Sequence, residues 1–433
     1  MMLFSRMSYT TTIDGETYIL TEEFMSHHPG GRDMIILAAS RDATSLVASY
    51  HRRDTVFRKS LASLSKLSDA EATTAQTAHR AFDPHSRSLL RTDSTLYTEL
   101  KRRINAYFTQ GRSSRGGVFM ILKSFLHIAV TTAAYYVSHV QGYFILSPLT
   151  GLLISMLGLC VQHDANHGSL SGFPLLNRFF GFMNDIIGGS ALCWKTQHVA
   201  GHHQHPNHHT LDSDSYGNFP LLRLNPIDKR YWYHAYQAYY APLLYSLLAF
   251  VYPIRDMIDL AYRAHFHTPM PPLDLTTLSL FWLGKILHYG LLWALPIMLH
   301  GLQNGFLGLI LPTLLTGGLF LAISFSVSHN VPLTIQTTSN MCFAEAQIRT
   351  SADWAPDSLV SSFVWGGLNT QIVHHLFPGI AHIHYPVLTR IIVDVCREKG
   401  IPYNSYPTFA SAVWAHFTHL HALGLPRPTI GDY

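Results

Sequence analysis

Histidine dominates the residues of this chain that can do chemistry: 28 of them stand beside only 30 lysines and arginines. They are clustered. His163 and His167 are spaced i, i+4, and His198, His202 and His203 repeat that spacing with a neighbour added. His374 and His375 follow Gln371 at i+3 and i+4, and His329 stands alone. Residues three and four apart share one face of a helix, so each cluster can aim its imidazoles at a common point. Imidazole suits zinc, copper, iron and nickel, and thiolates are not placed to select zinc or an iron–sulfur cluster. The four cysteines (Cys160, Cys193, Cys342 and Cys396) are scattered without a CxxC pair. Eight histidines exceed the four ligands of a structural zinc and fit two metals, each with an open position. Asp164, Asp212 and Asp214 are candidates for orienting the rings from behind. His205, His208 and His209 read as solvated or supporting groups, and His329 taken alone reads equally as a helix-end hydrogen-bonding residue.

A second pair lies near the N-terminus. His28 opens the run His-Pro-Gly-Gly, after the alternating stretch from Gly15 to Phe24, and His51 closes Asp-Ala-Thr-Ser-Leu-Val-Ala-Ser-Tyr-His. Two histidines held on opposing helices can take both axial positions of a haem iron, making it an electron carrier and not an oxygen binder. A turn with a capping histidine is the alternative for the first motif by itself.

The elements that must position these groups are apolar. Charged residues make up 13% of the 433-residue chain and apolar ones 48%, against about 25% charged in an ordinary soluble domain. That composition excludes disorder and argues against a soluble enzyme. A net charge of +4 is too small for a nucleic-acid binder, and a GxGxxG nucleotide loop is absent from the sequence. The start, Met1 to Asp14, lacks the apolar core of a cleaved signal peptide. Four later segments have the ~20 apolar residues that cross a bilayer: Val118–Ser138, Tyr143–Gln162, Phe281–His300 and Leu302–Ser328. Lys123 and Lys285 are their only formal charges. They pair into two hairpins, joined at His139–Gly142 and near Gly301. Lys101, Arg102, Arg103, Arg112 and Arg115 precede the first, and Lys229, Arg230, Arg255 and Arg263 lie between the two. The positive-inside rule then places the N-terminus, the middle segment and the C-terminus in the cytosol, and brings every histidine cluster to one face. Tyr233–Ile254 is also uncharged, but its tyrosines favour the headgroup level, so it reads as interfacial and not as a fifth span. Leu96, Leu100, Ile104 and Phe108 mark an amphipathic helix feeding the membrane.

These motifs together resemble the front-end fatty acyl desaturases, membrane enzymes with a cytochrome b5 domain fused at the N-terminus. The resemblance rests on His28-Pro-Gly-Gly, His163-Asp-Ala-Asn-His167, His198-Val-Ala-Gly-His202-His203, and Gly366-Gly-Leu-Asn-Thr-Gln371-Ile-Val-His374-His375-Leu-Phe-Pro378. The last is the most specific, because in this family the third box opens with Gln. It implies haem b held by His28 and His51. It also implies two iron ions held by His163, His167, His198, His202, His203, His329, His374 and His375, with Gln371 a further ligand or supporting group. The implied layout is a small α+β cytochrome b5-like domain over residues 1–80, with only 27 residues before His28, and a linker with the amphipathic helix over 81–116. An α-helical membrane domain follows over 117–433, with four transmembrane helices in two hairpins and a cytosolic histidine-rich di-metal cap. The stretch from Ser60 to Gly116 would tether the haem at an effective concentration of roughly mM.

The implied activity is O2-dependent insertion of a cis double bond on the carboxyl side of an existing one, in an acyl chain linked to coenzyme A or phospholipid. Electrons would come from NADH through an external cytochrome b5 reductase, in the endoplasmic reticulum membrane. Arg223, Lys229 and Arg230 are candidate head-group contacts, although ordinary positive-inside residues are the preferred reading. The rivals are a sphingolipid long-chain-base desaturase, a b5-fused hydroxylase and, remotely, a membrane metal transporter.

Overall fold

In a computed structural model the described residues are 9–83, 90–109, 111–338 and 340–426, so parts of the predicted first domain (1–8) and linker (84–89 and 110) lie outside them. Tyr9–Ile13 and Glu16–Leu20 pair antiparallel. Asp14 and Gly15 join them, both at positive φ, as a tight two-residue hairpin turn requires. Helices Glu22–Ser26, Arg32–Ile35, Thr44–Tyr50, Asp54–Leu61 and Asp69–Phe82 complete this small α+β domain. Its core gathers Leu20, Met25, Ile36 and Ala39. His79 ties the last helix back to the first strand through the Thr10 and Thr12 hydroxyls, at 2.8 and 3.1 Å.

Three helical stretches are long and apolar enough to cross a membrane: Gly117–Val140, Phe144–Asn166 and Leu275–His329. Four separate spans were expected. The third stretch contains both of the later ones and begins before Phe281. Its 55 residues would reach about 80 Å as a straight helix, far beyond a hydrocarbon core of about 30 Å. It is not straight. Gly301 has φ 75° and ψ 164°, a conformation open to glycine and strained for any other residue. The chain doubles back there, and the backbone around Gly305 packs against Pro296 and Ile297. His300 donates from its ring to the His139 carbonyl at 2.9 Å, setting this bend beside the one between the first two stretches. Gly301→Val is expected to destabilise the protein by about 1–3 kcal/mol, read as a lower midpoint of thermal aggregation in detergent.

The uncharged segment near Tyr233–Ile254 departs from a flat interfacial helix. It forms two helices, Gln237–Ser246 and Leu248–Tyr262, broken at Leu247. Ala249 and Phe250, at the junction, join the cluster of Leu292, Ile310 and Leu314 deep among the long helices. Both outer ends return to the histidine-bearing cap: Gln237 bonds to Arg223 and Leu420, and Asp259 to His265. The segment dips between the long helices and comes back on the same side, its charges Arg255, Asp256 and Asp259 confined to the returning end.

The predicted amphipathic helix, Thr95–Tyr107, buries Leu96, Leu100 and Ile104, with Phe108 at its end. The apolar stripe is covered by protein and not by lipid, since it packs on Phe343, Ile372, Val373, Leu388 and Ile392 of the cap. The N-terminal domain is docked in the same region. Leu37, Ala38, Ala43 and Leu46 share a cluster with Val199 of the second histidine box. Arg41 donates to the Pro269 carbonyl at 2.7 Å and Arg52 to Asn105 at 2.5 Å. The Tyr97 hydroxyl lies 3.0 Å from the Ala48 carbonyl and 3.2 Å from that of Leu376. The tethered domain is seated on the cap.

Candidate metal centre

The histidine boxes come from separate elements that end on one buried face. Phe144–Asn166 delivers His163, with His167 one residue past its end, and Leu275–His329 delivers His329 at its last position. The short helix Gln371–Leu376 carries the third box. The second box lies on a π-helical turn, Lys195–Gly201, running into a tight turn over His202–Gln204. Wide turns of this kind recur at functional sites, and here the wide turn changes the pairing. On an α-helix His198 would share a face with His202. The extra residue per turn brings His203 to His198 as well, with their Nε2 atoms 3.1 Å apart, while the His198 and His202 rings still stack at 5.4 Å.

Two groups of ligand atoms result. His163, His167, His198 and His374 form one, and His202, His329 and His375 the other, the atoms within each lying within 4.8 Å of one another. His203 joins the first group, its Nε2 also 3.0 Å from Nε2 of His374. Gln371 joins the second, its side-chain nitrogen 3.1 Å from Nε2 of His329 and 3.2 Å from that of His375. The His203 and His375 rings stack at 4.4 Å and link the two groups. All eight predicted histidines and Gln371 are thus brought together.

The chemistry of this donor set fits metal. Metal–imidazole bonds of about 2.1 Å place neighbouring ligand atoms about 3.0 Å apart around a shared ion, close to the spacings seen. The Nε2 atoms of His163 and His167 are buried without a hydrogen-bond partner, a cost that a bound ion removes. The rings are also held from behind, as metal-binding histidines are. Nδ1 of His202 lies 3.0 Å from Asp212, that of His375 2.9 Å from the Gln347 side-chain oxygen, and that of His374 3.3 Å from the Tyr385 hydroxyl. Nδ1 of His329 meets the Thr350 carbonyl at 3.3 Å. Burial, reinforced by neighbouring rings, pushes His167, His198, His203, His374 and His375 well below the ordinary imidazole range, keeping them neutral and ready to ligate. His202 is the exception: burial lowers it, but Asp212 and Asp214 outweigh that and raise it to about 9.

Some expectations are corrected. Asp164 orients no box ring; its carboxylate takes the His382 Nδ1 at 2.5 Å and the Ser169 hydroxyl at 2.9 Å. His382 in turn meets the Lys123 ammonium at 2.9 Å, so the lysine of the first long helix is tied to the cap. His209 pairs with Asp228 at 2.9 Å, and His205, His208 and His209 stay outside both groups. Arg223 and Arg230 are committed to backbone carbonyls at the end of the last helix, Leu423 and Gly424. Gln347, Tyr385 and Thr350 carry no spacing signal, and sequence reasoning missed them. Gln347 also donates to the His203 carbonyl at 3.0 Å, serving both groups at once. Gln347→Leu is expected to weaken metal retention by about 10–100-fold, measured by metal analysis after graded chelation.

In the N-terminal domain the His28 and His51 ring centroids are 6.0 Å apart. Two metal–nitrogen bonds of about 2 Å, with the ring radii added, span about 6 Å across an iron. His51 is fixed by its Nδ1 bond to the Val47 carbonyl at 2.9 Å, leaving Nε2 free. Burial and the neighbouring His51 push His28 down to about 4.

Residues 138–407 match the fatty acid desaturase family, and residues 5–90 match the cytochrome b5-like heme/steroid binding domain. This chain belongs to the fatty acid desaturase family. It is 33% identical over 434 residues to an acyl-lipid (7-3)-desaturase of Chlamydomonas reinhardtii, covering 95% of this chain and 80% of that protein. It is 33% identical to an acyl-lipid (8-3)-desaturase of Physcomitrium patens, covering 95% and 87%. A sn-1 linoleoyl-lipid 6-desaturase of Synechocystis is 30% identical, and there the match takes 94% of the relative but 75% of this chain. The desaturase is therefore a front-end fatty acyl desaturase of the b5-fused kind, an integral membrane oxidoreductase whose N-terminal domain is a haem domain. The paired histidine groups are consistent with a di-iron site.

Proposed function

We propose that this desaturase inserts a cis double bond into a polyunsaturated acyl chain, on the carboxyl side of an existing one. The proposed iron ligands are His163, His167, His198, His203 and His374 in one group and His202, His329, His375 and Gln371 in the other. When bound there, the iron pair supplies the O2-dependent oxidation of an unactivated methylene, which a side-chain base cannot deprotonate. The haem, held by His28 and His51, supplies the electrons one at a time, and a cytochrome b5 reductase fed by NADH renews them. The chain's own residues position the substrate. A cavity lined by Gly151, Ile154, Ser155, Leu314, Gly317 and Trp194 runs between the second and third long helices. The Trp194 ring stands 4.5–5.4 Å from the rings of His163, His167 and His198, so the cavity ends against the metal groups. This meeting of a mostly apolar cavity with the first histidine group carries the proposal.

The four-span arrangement in two hairpins is proposed on the Gly301 bend. The placement of haem and metal groups on the cytosolic side rests on the Lys and Arg excess, and the endoplasmic reticulum is the membrane that fits such a reductase. The test is a fatty-acid profile of yeast expressing the chain and fed polyunsaturated precursors. A new double bond nearer the carboxyl group is the expected product, and its position reports which carbon is oxidised. A hydroxylated product would overturn the proposal.

A further inference from the structure

Five rings of the two histidine groups have their outer nitrogens held by identified partners. Asp212, Thr350, Tyr385 and Gln347, which hold His202, His329, His374 and His375, all belong to the membrane domain. The fifth ring is held from the other domain. The Tyr50 hydroxyl lies 2.7 Å from Nδ1 of His167. Tyr50 is the chain neighbour of His51, the residue proposed to hold the haem. A single residue therefore touches both centres, through its backbone on one side and its hydroxyl on the other.

The surroundings fix that contact. Tyr50 packs with Leu46, Val47, Trp194 and Val199, joining the haem domain to the second box. Its ring faces Gly379, where even a Cβ would come within 3.1 Å. Arg115 donates to the carbonyls of Gly168 and Gly379, the residues beside His167 and beneath the Tyr50 ring. Contacts of this density do not suit a domain that docks and leaves at each turnover.

We infer that Tyr50 is the positioning residue that couples the two centres, giving electrons a route of covalent bonds and one hydrogen bond from His51 to His167. This rests on the ligand assignments proposed above. In each transfer one electron leaves a ferrous haem, which becomes ferric, and one ferric iron of the paired groups becomes ferrous. No bond forms or breaks, and the tyrosine keeps its proton. The hydroxyl also fixes which nitrogen of His167 faces the metal.

The test uses the purified full-length holoenzyme and its Tyr50→Phe variant. The haem is reduced without oxygen, and its reoxidation by the paired irons is followed by rapid-mixing absorbance. Tyr50→Phe is expected to slow reoxidation in the iron-loaded fraction, because the one hydrogen bond that joins the two covalent stretches of the route is lost, with haem spectrum and haem potential unchanged and iron retention weakened by roughly 10–100-fold, as for Gln347→Leu. An unchanged rate with both centres intact would overturn the inference. So would loss of iron from the variant with an unchanged rate in its iron-loaded fraction, which would make the hydroxyl a structural clamp only. A wild-type enzyme that binds haem but no iron would overturn the ligand assignments themselves, and the coupling with them.

Discussion

His375→Ala is expected to leave no detectable new double bond in yeast fed polyunsaturated precursors, and to lower the iron content of the purified protein. The ring occupies a junction. Its Nε2 lies 3.2 Å from those of His329 and the Gln371 amide, its face stacks on His203 at 4.4 Å, and its Nδ1 is held by Gln347. Removing it takes a ligand from one group and disturbs the ring that completes the other. The effect should therefore exceed the roughly 10–100-fold cost of losing a supporting residue such as Gln347. His209→Ala is the matched control. That ring pairs with Asp228 outside both groups, and activity should stay within about twofold, as for a surface change. Iron and product are measured on the same preparations, with haem absorbance reporting that the N-terminal domain remains folded. A His375→Ala protein with full activity would remove this ring from the proposed ligand set.

The chemistry was legible before the geometry because histidine spacing and helix ends are written locally. A buried Nε2 needs a partner, and a chain that clusters seven such rings at helical spacing, and sets an eighth, His329, at the end of an apolar stretch, has committed them to a shared task. The positions of Gln347 and Tyr385 were not legible, since a single Gln or Tyr on a cap helix has no periodicity that marks what it faces. His198 and His202 stay together as their spacing implies, but the added approach of His203 to His198 across the wide turn over Lys195–Gly201 is invisible to a pattern of period 3.6. The stripe from Leu96 to Phe108 was read correctly as an apolar face, but what covers a face is a tertiary fact. Likewise, hydropathy found the uncharged stretch around Leu247 yet could not tell a flat helix from one that dips and returns. The bend at Gly301 was anticipated as a turn; its helical hydrogen bonding on both sides merges two expected spans into one long stretch.

His51→Ala is expected to abolish NADH-driven desaturation while leaving the iron of the paired groups in place, which separates the two centres in one variant. His51 is one half of the 6.0 Å pair with His28, and the Phe57 ring packs 4.8 Å from it. Losing one axial nitrogen should release the haem, or leave an open position that binds oxygen instead of passing electrons. The measurement pairs haem absorbance with iron content and product analysis. His27→Ala is the control, because that neighbouring ring is exposed and turned away onto the Glu23 carbonyl at 2.8 Å, and it should keep haem and activity. The docked arrangement adds a sharper expectation. A tethered domain that merely raised local concentration could be replaced by a free cytochrome b5 supplied in trans. Here the haem domain sits over Val199 and His167 through Leu46, Tyr50 and Arg41, and a His51→Ala domain that keeps its fold still covers that face. The free carrier should therefore fail to restore activity to His51→Ala, whereas a protein truncated before Thr95 should recover part of it. Rescue of the point variant by added carrier would mean that the domain leaves its seat during turnover.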